Sequence, residues 1–130
     1  MIRLHHVSLL VADTRRSLVF YRDLLGLEVD PARPDLGFPG AWLKVGDLQI
    51  HLLELDNPDA LAGRAEHGGR DRHTAFVVDD FKAMREKLDL AGVEYTLSRS
   101  GREALFCRDP DQNTIELIAG QRRSYRIEHD

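Results

Sequence analysis

The chain states one pattern twice. His6-Val7-Ser8-Leu9-Leu10-Val11-Ala12-Asp13 returns as His73-Thr74-Ala75-Phe76-Val77-Val78-Asp79-Asp80, 67 residues further on. Each copy runs from a histidine through apolar residues to an aspartate, and a helix pattern follows each. A repeat at half the length of a 130-residue chain restricts the fold to two similar modules, because each copy must form the same supersecondary unit.

The repeat sets the frame for the remaining elements. Over residues 2–11, Val7, Leu9 and Val11 alternate with His6, Ser8 and Leu10, as in a strand with two distinct faces. Asp13 or Thr14 caps a helix on which Leu18, Tyr21 and Leu25 form the apolar stripe, and Gly26 ends it in the left-handed conformation. A strand at Leu27–Val29, a loop over 31–40, and strands Ala41–Val45 and Leu48–Leu55 turning at Gly46-Asp47 complete the first half. The second half repeats the plan. A strand over 72–79 precedes a helix capped by Asp79 or Asp80, with Phe81, Met84, Leu88 and Ala91 inward and Gly92 at its end. Strands Val93–Ser98, Ala104–Arg108 and Asn113–Ile118 follow, the last two joined by the turn Asp109–Gln112. Each half reads βαβββ: module one 1–55, a polar linker 56–71, module two 72–120, and a C-terminal tail 121–130. The expected fold is α+β, two βαβββ modules forming a curved mixed sheet around a central cavity with the helices on the outer face.

Composition narrows the partners. The net charge of −4 and the lack of any Lys/Arg run argue against nucleic acid or an anionic membrane as a partner. No apolar run approaches the roughly 20 residues that span a bilayer. The chain enters its first strand without a signal-peptide apolar core, and Cys107 is its one cysteine. The cytoplasm is therefore the expected compartment, with Cys107 a small buried hydrophobe.

The repeat also serves as a ruler for chemistry. Ile50-His51-Leu52 is matched by Ile115-Glu116-Leu117, 65 residues on. The first and last strands of the halves thus carry His6 and His51, then His73 and Glu116. Apolar neighbours of the opposite parity put all four side chains on the face away from the helices. Three imidazoles and a carboxylate suit one borderline divalent cation such as Zn²⁺, Ni²⁺, Fe²⁺, Mn²⁺ or Co²⁺. A coordination position left open would make that ion a Lewis acid. His5 has the wrong parity, and His67 reads as a solvated linker residue that could also reach a pocket mouth.

The segments 6–26 and 73–80, with Asp109-Pro110-Asp111-Gln112-Asn113 leading into Ile115-Glu116-Leu117, resemble the vicinal oxygen chelate superfamily. That superfamily includes glyoxalase I, fosfomycin-resistance thiol transferases, methylmalonyl-CoA epimerase, extradiol dioxygenases and bleomycin-binding proteins. The resemblance covers about residues 4–119. It implies a divalent metal held by His6, His73 and Glu116, with His51 at the family's variable position. It also implies a small-molecule substrate chelating the metal through two neighbouring oxygens, a lyase or isomerase type of reaction in which Glu116 moves protons, and a homodimer. Bacterial glyoxalase I enzymes usually carry glutamate where this chain has His51. Two alternatives stay open: a bleomycin-resistance-like binding protein, and an Fe(II)-dependent dioxygenase using His6, His73 and Glu116. Phe38 and Trp42 are candidates to wall an apolar substrate pocket, and Arg70 and Arg72 to bind an anionic substrate group.

Overall fold

The computed structural model describes residues 1–120, so the expected tail at 121–130 lies outside the described residues. The chain divides into two units. The first comprises residues 1–63 together with 109–113, and the second begins at Arg64 and omits that turn.

The first unit carries β1 (His6–Val11), α1 (Thr14–Leu18), β2 (Glu28–Asp30), β3 (Gly40–Val45) and β4 (Leu48–Glu54). Its sheet has the order β1-β4-β3-β2, with β1 parallel to β4 and the other pairs antiparallel. Alternation chooses the face: Leu43, Ile50 and Leu52 are buried with Val11, Phe20 and Tyr21. Their neighbours Trp42 and His51 stand opposite each other in the register and point to the other face.

Asp13 is the helix cap, its carboxylate accepting the Arg15 and Arg16 N–H groups. The helix then departs from the expected stripe. Val19–Leu24 is a π-helical turn, in which Leu25 N–H donates to Phe20 O at 2.9 Å, a wider spacing than the α-helical bond. Ser17, Phe20 and Tyr21 are the buried residues here, and Leu18 and Leu25 only partly so. Gly26, at φ +83°, closes the element as expected.

Tyr21 shows what the wider turn accommodates. Its hydroxyl donates to Asp109 Oδ2 at 2.6 Å, and Asp111 Oδ1 accepts from Ala12 N–H and Arg16 Nη2. Asn113 Nδ2 donates to Leu10 O. The turn that the sequence assigns to the second half therefore completes the first unit. Burial pushes the Asp109 carboxyl above the usual range, against hydrogen bonds from Tyr21 and Asn113 that pull it down.

The second unit carries β5 (His73–Val78), α2 (Phe81–Leu90), β6 (Tyr95–Leu97), β7 (Ala104–Arg108) and β8 (Thr114–Ala119). Its strand order, β5-β8-β7-β6, reproduces the first sheet position for position, with β5 parallel to β8. Asp80 caps α2 by accepting the Ala83 N–H. Leu88, Leu105, Ile115 and Leu117 are sealed on the helix side. Cys107 is buried among them, as its strand position predicts.

The other face of this sheet is covered where β7 and β8 run, so Phe106 and Thr114 are buried too. The cover is a 3₁₀ turn, Gly68–Arg70. A Cβ on Gly68 would lie 2.6 Å from Thr114 Cγ2 and 2.8 Å from Phe106 Cβ, so only glycine lets the backbone approach this closely. Residues 64–71, expected in the linker, are part of the second unit.

Candidate functional site

The register fixes two matching pairs of side chains. On the first sheet His6 faces Gln49 and Ser8 faces His51, so His6 and His51 are diagonal neighbours on one face. On the second, His73 faces Thr114 and Ala75 faces Glu116, which makes His73 and Glu116 the same diagonal pair. The repeat thus reappears as geometry.

In the first unit the pair is a stack of rings. His6 and His51 lie 3.9 Å apart at 13°, and Trp42 continues the stack 4.5 Å from His51 at 10°. His51 Nε2 sits 2.8 Å from Gln49 Oε1, and Gln49 Nε2 donates to Asp30 Oδ2 at 2.9 Å. Because that amide end is spent on Asp30, Oε1 must accept, and His51 Nε2 carries the proton. Its Nδ1 lone pair is then the free donor atom. Partial burial, followed by nearby His6, His5 and Arg33, pushes the His51 ring below the usual imidazole range, towards the neutral form a metal requires. His5, exposed, meets His6 with its Nδ1 2.9 Å from the His6 Nδ1.

In the second unit the pair is an imidazole and a carboxylate. His73 Nδ1 lies 2.8 Å from the backbone carbonyl of Asp71. A carbonyl only accepts, so Nδ1 holds the proton and Nε2 offers a lone pair. That lone pair lies 3.2 Å from Glu116 Oε1. Two acceptors this close need a cation, a proton or a metal ion, between or beside them. Glu116 is 3% exposed, and its other oxygen, Oε2, is buried without a hydrogen-bond partner. The nearest cation to that oxygen is Arg102 Nη2, at 3.9 Å. An unsatisfied buried carboxylate oxygen beside an oriented imidazole lone pair is a donor set that fits a divalent metal.

The Asp71 carbonyl is itself held in place. The Asp71 carboxylate accepts from Arg64 and Arg108 at 2.8 Å each. Against the upward push of burial, hydrogen bonds from Arg108 and Arg64 hold this carboxyl at about 2. The network thus fixes the backbone two residues before His73.

A cleft of about 390 Å³ opens over the second sheet, with His67, His73, Phe106 and Glu116 in its walls. His67 takes the pocket position rather than the solvated one. Its Nδ1 lies 2.7 Å from Thr96 Oγ1 and its ring packs edge-on against Phe106, as does the ring of His73. The signal for this seat was Gly68-Gly69, since a Cβ on Gly69 would come within 2.9 Å of His67 Nε2. Among the other expected residues, Trp42 joins the His51 stack, while Phe38 lies under the Arg33 guanidinium at 5.3 Å in its own loop. Arg70 lines the cleft. Arg72 is exposed and is not among the residues lining it. Among the described residues no group of three or more His, Cys, Asp and Glu comes together as a metal cluster; the four expected ligands stand as two pairs.

Comparison with known proteins bears on the family and the fold. The family model described as Glyoxalase/Bleomycin resistance protein/Dioxygenase superfamily matches residues 3–117. Glyoxylase I 4 of Arabidopsis thaliana is 33% identical over 120 residues, which span 88% of this chain and 68% of that protein. The glutathione transferase FosA of Serratia marcescens is 32% identical over 120 residues, 90% of this chain and 80% of the relative. A glyoxalase family protein of Bacillus anthracis, known from its crystal structure, superposes with a TM-score of 0.73 at 25% identity, over 93% of this chain and 97% of that one. Among the described residues no helix is long and apolar enough to cross a membrane.

Proposed function

The chain belongs to the Glyoxalase/Bleomycin resistance protein/Dioxygenase superfamily, and on that premise we propose that it is a metal-dependent enzyme of the glyoxalase type, a lyase or isomerase. His6, His51, His73 and Glu116 are its ligand set. Such a metal, when bound, supplies Lewis-acid polarisation of two vicinal oxygens on a small carbonyl-containing substrate.

The observation that carries the reading is the His73–Glu116 pair, with its converging lone pairs and the unpartnered Glu116 Oε2. The chain's own residues have definable tasks. Asp71 O keeps the His73 proton on Nδ1, and Gln49 Oε1 keeps that of His51 on Nε2. Both rings therefore hold one defined lone pair ready. Glu116 Oε2, which has no hydrogen-bond donor to satisfy it, is the atom that takes and returns a substrate proton. Phe106, beside His73, limits water on one side. The expected assembly is a homodimer, which sedimentation of the purified chain checks.

Metal analysis of tag-free protein beside H73A and E116Q variants tests the ligand assignment. The wild type should take up about one Zn²⁺, Ni²⁺ or Mn²⁺ per chain. Each variant should lose more than the 10–100-fold in affinity that supporting residues typically cost. Equal and negligible uptake in all three would overturn the reading.

A further inference from the structure

The cleft beside His73 and Glu116 is built for charge as well as for metal. Arg70, Arg99 and Arg102 contribute three guanidinium groups to its lining, and Ser98 and Ser100 contribute two hydroxyls. Glu116 is the one carboxylate among the lining residues, so the walls carry an excess of positive charge. Neither Arg70 nor Arg99 forms an ion pair among the described residues; the nearby acid Asp71 is taken by Arg64 and Arg108.

The loop that presents these groups is folded on itself. Ser98 Oγ and Ser100 Oγ lie 2.8 Å apart, Ser98 Oγ accepts the Ser100 N–H, and Ser100 Oγ accepts the Arg102 N–H. The opposite wall is equally specific, because Gly68 and Gly69 leave just enough room to seat the turn and His67 against Phe106. Arg102 Nη2 lies 3.9 Å from Glu116 Oε2. The guanidinium groups of Arg70 and Arg99 line the concavity without an ion pair among the described residues, and such forks recognise oxyanions through charge-assisted and often bidentate hydrogen bonds.

We infer that this cleft is a receptor for an oxyanionic group of the substrate, of carboxylate or phosphate type, held by Arg70, Arg99 and Arg102 with the Ser98 and Ser100 hydroxyls. The substrate then carries its anion apart from the oxygens that meet the metal. Assigning the anion to the substrate rests on the metal-enzyme reading. The receptor itself does not.

The two claims separate in one set of measurements. Isotope-labelled full-length chain is titrated in EDTA with inorganic phosphate and, separately, with acetate, following the arginine Nε and backbone amide resonances. The expected result is saturable binding with shifts at Arg70, Arg99 and Arg102, weakened about tenfold or more in the R70A/R99A double variant. Phosphate binding well above acetate assigns a phosphoryl-type group, and comparable binding assigns a carboxylate. Both arginines are exposed, so the variant should keep the wild-type melting curve; if it does not, R99A alone carries the comparison. Zn²⁺ uptake, measured separately, should survive in R70A/R99A and fail in H73A. A wild-type chain that binds phosphate but no Zn²⁺ overturns the metal reading and keeps the receptor. Absence of saturation in the millimolar range, or equal affinity in wild type and R70A/R99A, overturns the receptor.

Discussion

The two sheets share strand order, register and the diagonal placement of their paired polar residues, yet they treat that pair in different ways. The first unit holds its imidazoles in a ring stack in which the His51 proton is placed by side chains, Gln49 and behind it Asp30. The second holds an imidazole and a carboxylate, with the imidazole fixed by a backbone carbonyl and the cleft lined with arginines. Duplication thus keeps the backbone positions and lets the chemistry diverge. One half presents stacked imidazole rings, and the other presents an imidazole beside a carboxylate. The means of fixing a tautomer diverged with it, and that difference can be broken by substitution in the first half alone.

The largest effect expected tests whether the halves are equal in their cores. Leu43 and Leu105 are both fully buried, and replacing either with alanine should cost about 2–5 kcal/mol through lost burial and the cavity left behind. Urea unfolding of L43A and L105A should give losses within that range for both. A loss below 1 kcal/mol for one would mark that half as loosely packed.

Each unit has a glycine at a close approach, Gly40 against the Leu52 carbonyl in the first and Gly68 against side chains in the second, and the second is the one to substitute. In G68A the new Cβ would press on Thr114 and Phe106, and overpacking of this kind costs about 1–3 kcal/mol. Melting temperature should fall, with phosphate binding weakened because the turn carrying Arg70 shifts. An unchanged melt would mean that the turn yields freely.

Gln49 sharpens the contrast most directly. Q49A removes the acceptor for His51 Nε2 and should lower metal affinity by roughly 10–100-fold, as loss of a group orienting a metal-bound histidine does. No side-chain substitution can do the same to His73, whose acceptor is the Asp71 carbonyl. Metal titration of Q49A with affinity unchanged would remove His51 from the ligand set.

The smallest effect is a pH window. Asp71 is held at about 2 in the folded chain, below the roughly 3.9 of an unfolded aspartate. Its ion pairs therefore stabilise fully above the unfolded value, and this contribution fades as pH falls from about 4 towards 2. The stability difference between wild type and D71N, followed by denaturant unfolding, should be flat above pH 5 and shrink below pH 4. A difference that persists undiminished at pH 2 would show that the carboxylate charge is not what Arg64 and Arg108 hold.

What could be read in the sequence was what repeats or alternates. The offset between His6 and His73 is a repeat and the parity of His51 and Glu116 a local periodicity, and the register puts each pair on one face of its sheet. The caps, narrowed to Asp13 or Thr14 and to Asp79 or Asp80, and the helix ends Gly26 and Gly92 follow from single residue types with strong conformational preferences; the structure selects Asp13 and Asp80. What could not be read depends on partners distant along the chain. The π turn at Val19–Leu24 goes with Tyr21 reaching a carboxylate 88 residues later. The seating of His67 depends on the bulk of Phe106 and Thr114, and nothing near position 67 announces it except two glycines. The arginines of the cleft come from two segments, and neither shows a basic run.

The turn at 109–113 sets an order of events for synthesis and folding. The bonds from the Tyr21 hydroxyl, the Arg16 guanidinium and the Ala12 N–H to Asp109 and Asp111 form only once those two residues have been made. As the chain emerges from a ribosome, the Tyr21 hydroxyl waits for the 88 residues that separate it from Asp109. An excised fragment 1–63 would leave the Tyr21 hydroxyl, buried in the intact chain, without its acceptor. The halves are duplicates in pattern, but a cut at the linker removes the hydrogen bonds by which 109–113 completes the first unit.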